Sequence, residues 1–198
     1  MAFNKAKSLD AAEKYLAQGK IGQAIEQYQN IFKHDPRDLS LLNTIGDLFI
    51  RLGQTSDAMS HFQRLAEAYV SEGFLMRGIA IYKKMAKLDA SQVAILEKLA
   101  ELYAVQGLMS EARSHFLQLA ESYIKTNQVD KAVGIFRKML AQEPENATVQ
   151  MRLAELCERM GKTSDAVEAY LRAAERLAQK QDHKECLRLV DKDRKSVV

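Results

Sequence analysis

Apolar residues recur every three or four positions along almost the whole chain, which is the spacing that places them on one face of an α-helix. Glycines and short polar runs interrupt this pattern, and each interruption ends one amphipathic segment before the next begins. The interruptions are short, as expected for antiparallel helices that are neighbours along the chain. The pattern predicts eleven helices, over residues 5–18, 21–34, 39–52, 55–72, 74–88, 91–106, 109–126, 128–142, 147–160, 163–180 and 182–190.

The amphipathic segments follow a longer, 54-residue period. Residues 39–92, 93–146 and 147–198 align without gaps. Many identical residues coincide in that alignment, among them Gly53, Gly107 and Gly161, and the pairs Lys84-Met85 and Lys138-Met139. Matches of this density indicate a repeat protein, in which one structural unit is copied along the chain.

A second, 34-residue pattern lies within the longer one and begins at residues 5, 39, 59, 93, 113, 147 and 167. Its eighth position is always small, at Ala12, Gly46, Ala66, Ala100, Ala120, Ala154 and Ala174. Its twentieth position is mostly small, at Ala24, Ala58, Gly78, Ala112, Ala132, Ala166 and Cys186. Positions 11 and 24 are large and usually aromatic, as at Phe49 and Phe62. Small residues allow two helices to approach closely, and the large residues fill the space beside the contact.

This pattern resembles the tetratricopeptide repeat, which has a small residue at position 8, tyrosine at 11, alanine at 20, phenylalanine at 24 and proline at 32. The resemblance runs from about residue 5 to residue 190, and Pro36 and Pro144 stand at position 32. It implies an all-α fold, an α-solenoid of antiparallel helices that forms a tetratricopeptide-like superhelix. Because some copies overlap, each 54-residue unit holds three helices. We therefore expect one helical repeat domain over 1–190 and an irregular or truncated tail over 191–198.

The ends of the helices carry their own signals. Position 15 is glycine in five copies, which predicts a left-handed backbone that ends the first helix, at Gly19, Gly53, Gly73, Gly107 and Gly161. Asn127 replaces that glycine in one copy, and asparagine tolerates the same conformation. Ser56, Ser110 and Ser164 are expected to cap the helices that follow three of these turns.

Charge and composition narrow the range of functions. The net charge is +3, and the chain outside residues 180–198 is close to neutral, which argues against a general nucleic-acid binder. The chain lacks both a signal-peptide pattern and a run of eighteen apolar residues, so we expect no insertion into a membrane. Cys157 and Cys186 stand at apolar repeat positions, and buried free thiols fit a reducing cytoplasm.

The sequence predicts no catalytic, cofactor or metal site. Gly161-Lys162-Thr163-Ser164 looks like the end of a phosphate-binding loop, but Leu156 stands where such a loop needs a further glycine. A helix cap and a turn explain these four residues. His61 and His115 are repeat equivalents and lack metal-ligand partners three or four residues away. We therefore expect a protein that is not an enzyme.

The best candidate for a binding site is position 9, which is acidic in all seven copies: Glu13, Asp47, Glu67, Glu101, Glu121, Glu155 and Glu175. In regular tetratricopeptide arrays this position of the first helix faces the concave groove. The resemblance therefore implies that Asp47, Glu101 and Glu155 contact a partner, and their charge favours a basic peptide. The alternative is local pairing, because Arg64, Lys98, Arg152 and Arg172 each precede an acid by three residues.

The expected function is a non-enzymatic scaffold that binds a peptide or a partner helix along a concave surface. The expected relatives are bacterial tetratricopeptide scaffolds of the cytoplasm. An alternative function is that of a regulatory or targeting arm of a larger enzyme or assembly of which this chain is a fragment. An RNA-binding helical repeat is disfavoured, because such a protein needs basic groove positions and these copies carry acids there.

Overall fold

The structure, a computed structural model, describes residues 3–89 and 92–179, and these residues form ten α-helices and no β-strand. The helices are α1 (Lys5–Ala17), α2 (Ile21–His34), α3 (Leu39–Arg51), α4 (Thr55–Ser71), α5 (Leu75–Leu88), α6 (Val93–Val105), α7 (Met109–Lys125), α8 (Val129–Gln142), α9 (Ala147–Arg159) and α10 (Thr163–Gln179). The predicted all-α class is confirmed, and ten predicted helices are confirmed to within two residues at each end. The eleventh predicted helix, over 182–190, and the predicted tail lie outside the described residues.

The chain divides into two compact units, of which the first ends at Gly107 and the second begins at Leu108. The first unit contains α1 to α6, and the second contains α7 to α10. Within each unit of the described chain, the backbones of two helices come close only when the helices are neighbours in sequence. Packing between neighbours alone is typical of repeat proteins, whose stability comes from each repeat and its adjacent interfaces. The prediction of a single repeat domain over 1–190 stays a prediction.

The small residues of the repeat lie where helices meet, as predicted. Most alanines at positions 8 and 20 are completely or almost completely buried, namely Ala12, Ala24, Ala58, Ala66, Ala100, Ala112, Ala120, Ala132, Ala154 and Ala166. Gly46 shows why size matters, since a Cβ atom at this position would lie 2.5 Å from Cε1 of Phe62. Phe62 is itself fully buried. The aromatic residue at position 24 therefore occupies the volume that the small residue at position 8 leaves open.

The turns that end the first helices have the predicted left-handed backbone. The angle φ lies between 71° and 81° at Gly19, Gly53, Gly73, Gly107 and Gly161. Asn127 has a φ of 57° and is the only described non-glycine residue with a positive φ. Gln181 stands at the equivalent position of the last copy and lies outside the described residues.

The prediction that Ser56, Ser110 and Ser164 cap helices is wrong. The helices α4, α7 and α10 begin one residue before these serines, which therefore lie inside the first turn. A single linking residue follows each turn glycine, so the helix starts too early for the serine to cap it. Side-chain caps occur instead at Asn4 and Asn146, whose carboxamide oxygens accept hydrogen bonds from the N–H groups of Lys7 and Val149.

Candidate interaction surface

The three predicted partner-binding acids occupy the same position in three different helices. Asp47 lies on α3, Glu101 on α6 and Glu155 on α9, and all three residues are half-buried. Each follows directly after a small residue that is buried in a helix contact. This places the three carboxylates at the edge of a helix–helix contact. Asp47 and Glu101 belong to the first unit, and Glu155 belongs to the second.

Asp47 has a cationic partner within its own unit. The Nζ atom of Lys84, on α5, lies 2.5 Å from Oδ1 of Asp47, and Asn43 donates a hydrogen bond of 3.3 Å to Oδ2. Lys84 also donates to Oδ1 of Asn43 at 3.0 Å. Its ammonium group lies 4.2 Å from the centroid of the Phe62 ring, within the range of a cation–π interaction. The carboxylate of Asp47 is therefore partly neutralised by a residue that sequence reasoning did not assign to it.

Lys98 and Glu101 form the kind of local pair that is the alternative explanation of the acids. Lys98 Nζ lies 3.6 Å from Oε2 of Glu101, one turn along the same helix. Arg152 instead lies 3.7 Å from Glu121 on α7. Two other arginines of the predicted set have further contacts, Arg64 with the ring of Phe32 and Arg172 with Glu168. The four cations thus differ in their contacts, although they share one repeat position.

The sequence marks Lys84 as a repeated residue, although it does not identify Lys84 as the partner of Asp47. The pair Lys84-Met85 recurs as Lys138-Met139 one period later, and the two methionines are buried in the core. Lys138 also repeats the aromatic contact, since its Nζ atom lies 5.9 Å from the centroid of the Phe116 ring. A lysine that occupies the same repeat position twice, each time before a core methionine, favours a specific contact over simple exposure to solvent.

A second polar cluster fixes the start of α9. Glu143 accepts hydrogen bonds from Arg113 at 2.6 Å and from the side chain of Asn146, the N-cap residue, at 2.9 Å. The hydrogen bond from Arg113 is the main cause that lowers the pKa of the Glu143 carboxyl, and Asn146 lowers it further. Burial opposes both effects. The cluster therefore ties α7 to the turn between α8 and α9.

The described residues contain no group of histidine, cysteine, aspartate and glutamate side chains arranged to hold a metal ion. Cys157 is a free, buried cysteine, as its repeat position predicted. Burial raises the pKa of its thiol, and the charge of Asp165 raises it further. Within 3–89 and 92–179, no helix has the length and apolar character needed to cross a membrane.

Two family models described as tetratricopeptide repeat match the sequence. One matches residues 9–69 and the other matches residues 123–190, so that together they cover about two thirds of the chain. The helix pairs, the buried small residues and the left-handed turns described above agree with these matches. The chain belongs to the tetratricopeptide repeat family. No curated protein matches it.

Several solved structures are similar to the chain. A crystal structure of MamA protein has 18% sequence identity, with 90% of this chain and 94% of that chain covered and a TM-score of 0.33. The tetratricopeptide protein TTC0263 of Thermus thermophilus has 19% identity, with 95% and 98% covered and a TM-score of 0.29. A tetratricopeptide repeat protein of Parabacteroides merdae has 14% identity, with 95% and 91% covered and a TM-score of 0.30. At such identities and TM-scores, the similarity says nothing about what this chain binds.

Proposed function

We propose that this chain is a non-enzymatic interaction scaffold that binds a segment of another protein. The observation that carries the proposal is the packing of each helix against its sequence neighbours alone within the described residues. Helices packed in this way keep faces that no other part of their unit covers. Extended faces of this kind suit peptides and partner helices better than small substrates, which need an enclosed pocket.

The acids at position 9 are the proposed contact residues. Asp47, Glu101 and Glu155 keep part of each side chain in solvent, and a basic partner would find carboxylates at one repeated position. Lys84 competes with such a partner at Asp47, because its ammonium group already lies beside that carboxylate.

A bacterial cytoplasm is the proposed location. The buried free thiol of Cys157 supports it, since reduced thiols persist in reducing compartments.

A peptide array tests the proposed contacts. Arrayed basic, acidic and neutral 15-residue peptides are incubated with the wild-type chain and with the variant Asp47→Ser, Glu101→Ser and Glu155→Ser, at two salt concentrations. We expect the wild type to prefer basic peptides and its binding to weaken as salt rises. The triple variant should lose this preference and most of the salt dependence.

A matched control removes three acids elsewhere. Glu26, Glu72 and Glu111 are exposed and lie outside position 9, so replacing them with serine changes the net charge by the same amount. Equal losses in the two triple variants would show a general charge effect and overturn the assignment of position 9. Failure of the wild type to bind any peptide class would count against the scaffold function itself.

A further inference from the structure

The second unit contains a cavity of about 580 Å³ between α8, α9 and α10. Its floor is one face of α9, formed by Gln150, Leu153 and Cys157. Leu140 of α8 and Ala169 of α10 line its two sides. The volume lies within the range of small-ligand pockets and exceeds that of a single side chain.

Two ion pairs that involve α10 flank this cavity. Arg137 of α8 lies 2.9 Å from Asp165, near the start of α10. Arg176, near the end of α10, lies 2.9 Å from Glu145 in the turn that precedes α9. Three arginines and three acids line the cavity, so their formal charges cancel: Arg137, Arg172, Arg176, Asp165, Glu168 and Glu175. The occupant therefore needs no net charge.

The first unit shows what fills the equivalent space. The helices α2, α3 and α4 stand two 54-residue periods before α8, α9 and α10, with matching bounds. Phe32, Phe49 and His61 stand there at the positions of Leu140, Cys157 and Ala169. The rings of Phe49 and His61 are 5.2 Å apart, and Phe32 and Phe49 pack against the same core cluster. At three positions that line the cavity, the aromatic side chains of the first unit are thus replaced by smaller ones.

In the first unit, an arginine contacts one of the aromatic rings at this place. The guanidinium carbon of Arg64 lies 5.2 Å from the centroid of the Phe32 ring. Arg172 is the repeat equivalent of Arg64 and lines the cavity, where Leu140 has replaced the ring. Arg172 is paired with Glu168 on its own helix. A ring that entered the cavity would restore the cation–π contact that Arg64 makes in the first unit.

Gln150 adds a polar group to the floor. It is 94% buried, with 6% of its surface exposed, and is the only buried polar residue among the described residues. Leu42 and Leu96 are its repeat equivalents. Its side-chain amide takes part in none of the hydrogen bonds between described residues that involve side chains, and the residue lines the cavity. A hydroxyl group of an occupant can form a hydrogen bond with this amide, which offers both a donor and an acceptor.

We propose that the cavity between α8, α9 and α10 binds a tyrosine side chain of a partner polypeptide, with the ring in the place of the missing aromatic residues and the hydroxyl group bonded to Gln150. The inference rests on the proposed scaffold function and names one anchor of the bound segment. The volume beyond one tyrosine side chain admits the residues that flank it. The site differs from position 9, since its α9 residues stand at positions 4, 7 and 11 of the repeat.

The first experiment uses p-cresol, the side-chain analogue of tyrosine, and toluene, which lacks the hydroxyl group. Each is titrated into the full chain while amide chemical shifts are followed by NMR. We expect saturable shifts in α8, α9 and α10 with p-cresol, and at least tenfold weaker binding of toluene. Absence of saturable shifts with p-cresol would overturn the proposal.

Two variants locate the binding. Cys157→Phe with Ala169→His restores the aromatic pair of the first unit and should weaken p-cresol binding at least tenfold. Gln150→Leu restores the residue found at Leu42 and Leu96, and should remove the preference for p-cresol over toluene while leaving toluene binding unchanged. Gln150→Leu keeps the proposal testable if the double variant does not fold, because it leaves the cavity open. Unchanged p-cresol affinity in Gln150→Leu would overturn the role of Gln150.

Phage-displayed 12-residue peptides, selected on the wild-type chain, test the polypeptide occupant. Selected peptides should contain tyrosine and should bind the variant Cys157→Phe with Ala169→His at least tenfold more weakly. Peptides that bind the wild type and this variant equally would overturn the cavity as the anchor site but leave the scaffold function standing. Binding of p-cresol without any selected peptide would overturn the polypeptide occupant and indicate a small-molecule site. Failure of peptides from both this selection and the array would contradict the scaffold function.

Discussion

Lys84 Nζ lies 2.5 Å from Asp47 Oδ1, which joins α5 to α3 although α4 separates them along the chain. The same ammonium group lies over the ring of Phe62, which belongs to α4. One lysine of α5 therefore contacts both α3 and α4, and so links three successive helices. The helix contacts seen in the backbone join only neighbours, so this side chain provides a link that the backbone packing does not.

Replacing Lys84 with methionine should weaken this link. The variant keeps an apolar stem but loses the charge, and Asp47 loses its cationic partner. Because both side chains are partly exposed, we expect the free energy of unfolding to fall by up to about 1 kcal/mol. Urea unfolding at low salt measures the difference, and the exposed neighbour Lys83, changed to methionine, is the control. An equal effect of the two substitutions would contradict a specific role for Lys84.

Gly46 and Gly134 should respond oppositely to alanine. A Cβ atom at Gly46 would collide with the buried ring of Phe62, so Gly46→Ala should lower the free energy of unfolding by about 1–2 kcal/mol. Gly134 lies within α8 and a Cβ atom there would have no neighbour within 4 Å. Gly134→Ala should raise stability by about 0.5–1 kcal/mol, since alanine favours the helix. Thermal unfolding followed by circular dichroism compares the two, and a stabilising Gly46→Ala would refute the close contact with Phe62.

The turn at Asn127 offers a test of backbone strain. Asn127 has a φ of 57°, and alanine tolerates this left-handed region less well than asparagine because it has no polar side chain to hydrogen-bond locally, so Asn127→Ala should cost roughly 1 kcal/mol. Glycine adopts the left-handed region without strain, so the free energy of unfolding of Asn127→Gly, compared at moderate denaturant concentration, should be at least as high as that of the wild type. Chemical denaturation of the three proteins gives the order. If alanine and glycine proved equivalent, the left-handed turn would not be maintained in solution.

The Glu143 cluster predicts a pH-dependent effect. Its carboxyl has a lowered pKa in the folded chain, so its contribution to stability is present above the ordinary glutamate pKa of about 4.3 and is lost as the pH falls through the folded value. Glu143→Gln should therefore be less stable than the wild type at pH 7, by about 0.2–1 kcal/mol. The difference should shrink as the pH falls below about 4. Urea titrations over pH 3–7 measure it, with Glu26→Gln as the control, and a difference independent of pH would refute the ionic contribution.

Most of the fold could be predicted from sequence because its determinants are local. The spacing of apolar residues gave the helices, and the glycines, with Asn127 in their place once, gave the turns. The serine caps failed because a capping residue must precede the first helical residue, whereas the helices start at 55, 109 and 163, as predicted, one residue before each serine. Ser56 has a side chain suited to capping but lies two positions after the N-cap residue, Gln54.

The candidate sites were harder to predict, because they depend on contacts between helices. Asp47 was identified from its repeat position, but its partner Lys84 lies two helices away and repeat arithmetic alone does not reveal the contact. Cys157 was assigned to the core, and it is buried there. The cavity beside it could not be predicted, because the three positions with smaller residues come together only in the folded chain.

The contact between Lys84 and Asp47 also has a consequence for how such a gene can change length. Both residues lie within one 54-residue block, and the lysine recurs at Lys138 and Lys192 while an acid recurs at Glu101 and Glu155. Unequal recombination that removes one whole block would leave every acid in register with a lysine of its own block. Removal of a single 34-residue copy would change the sequence separation between the remaining acids and lysines, so that an acid would no longer face the lysine of the matching repeat position. Viable natural length variants should therefore differ by whole three-helix blocks, even though the tetratricopeptide motif itself is shorter than a block.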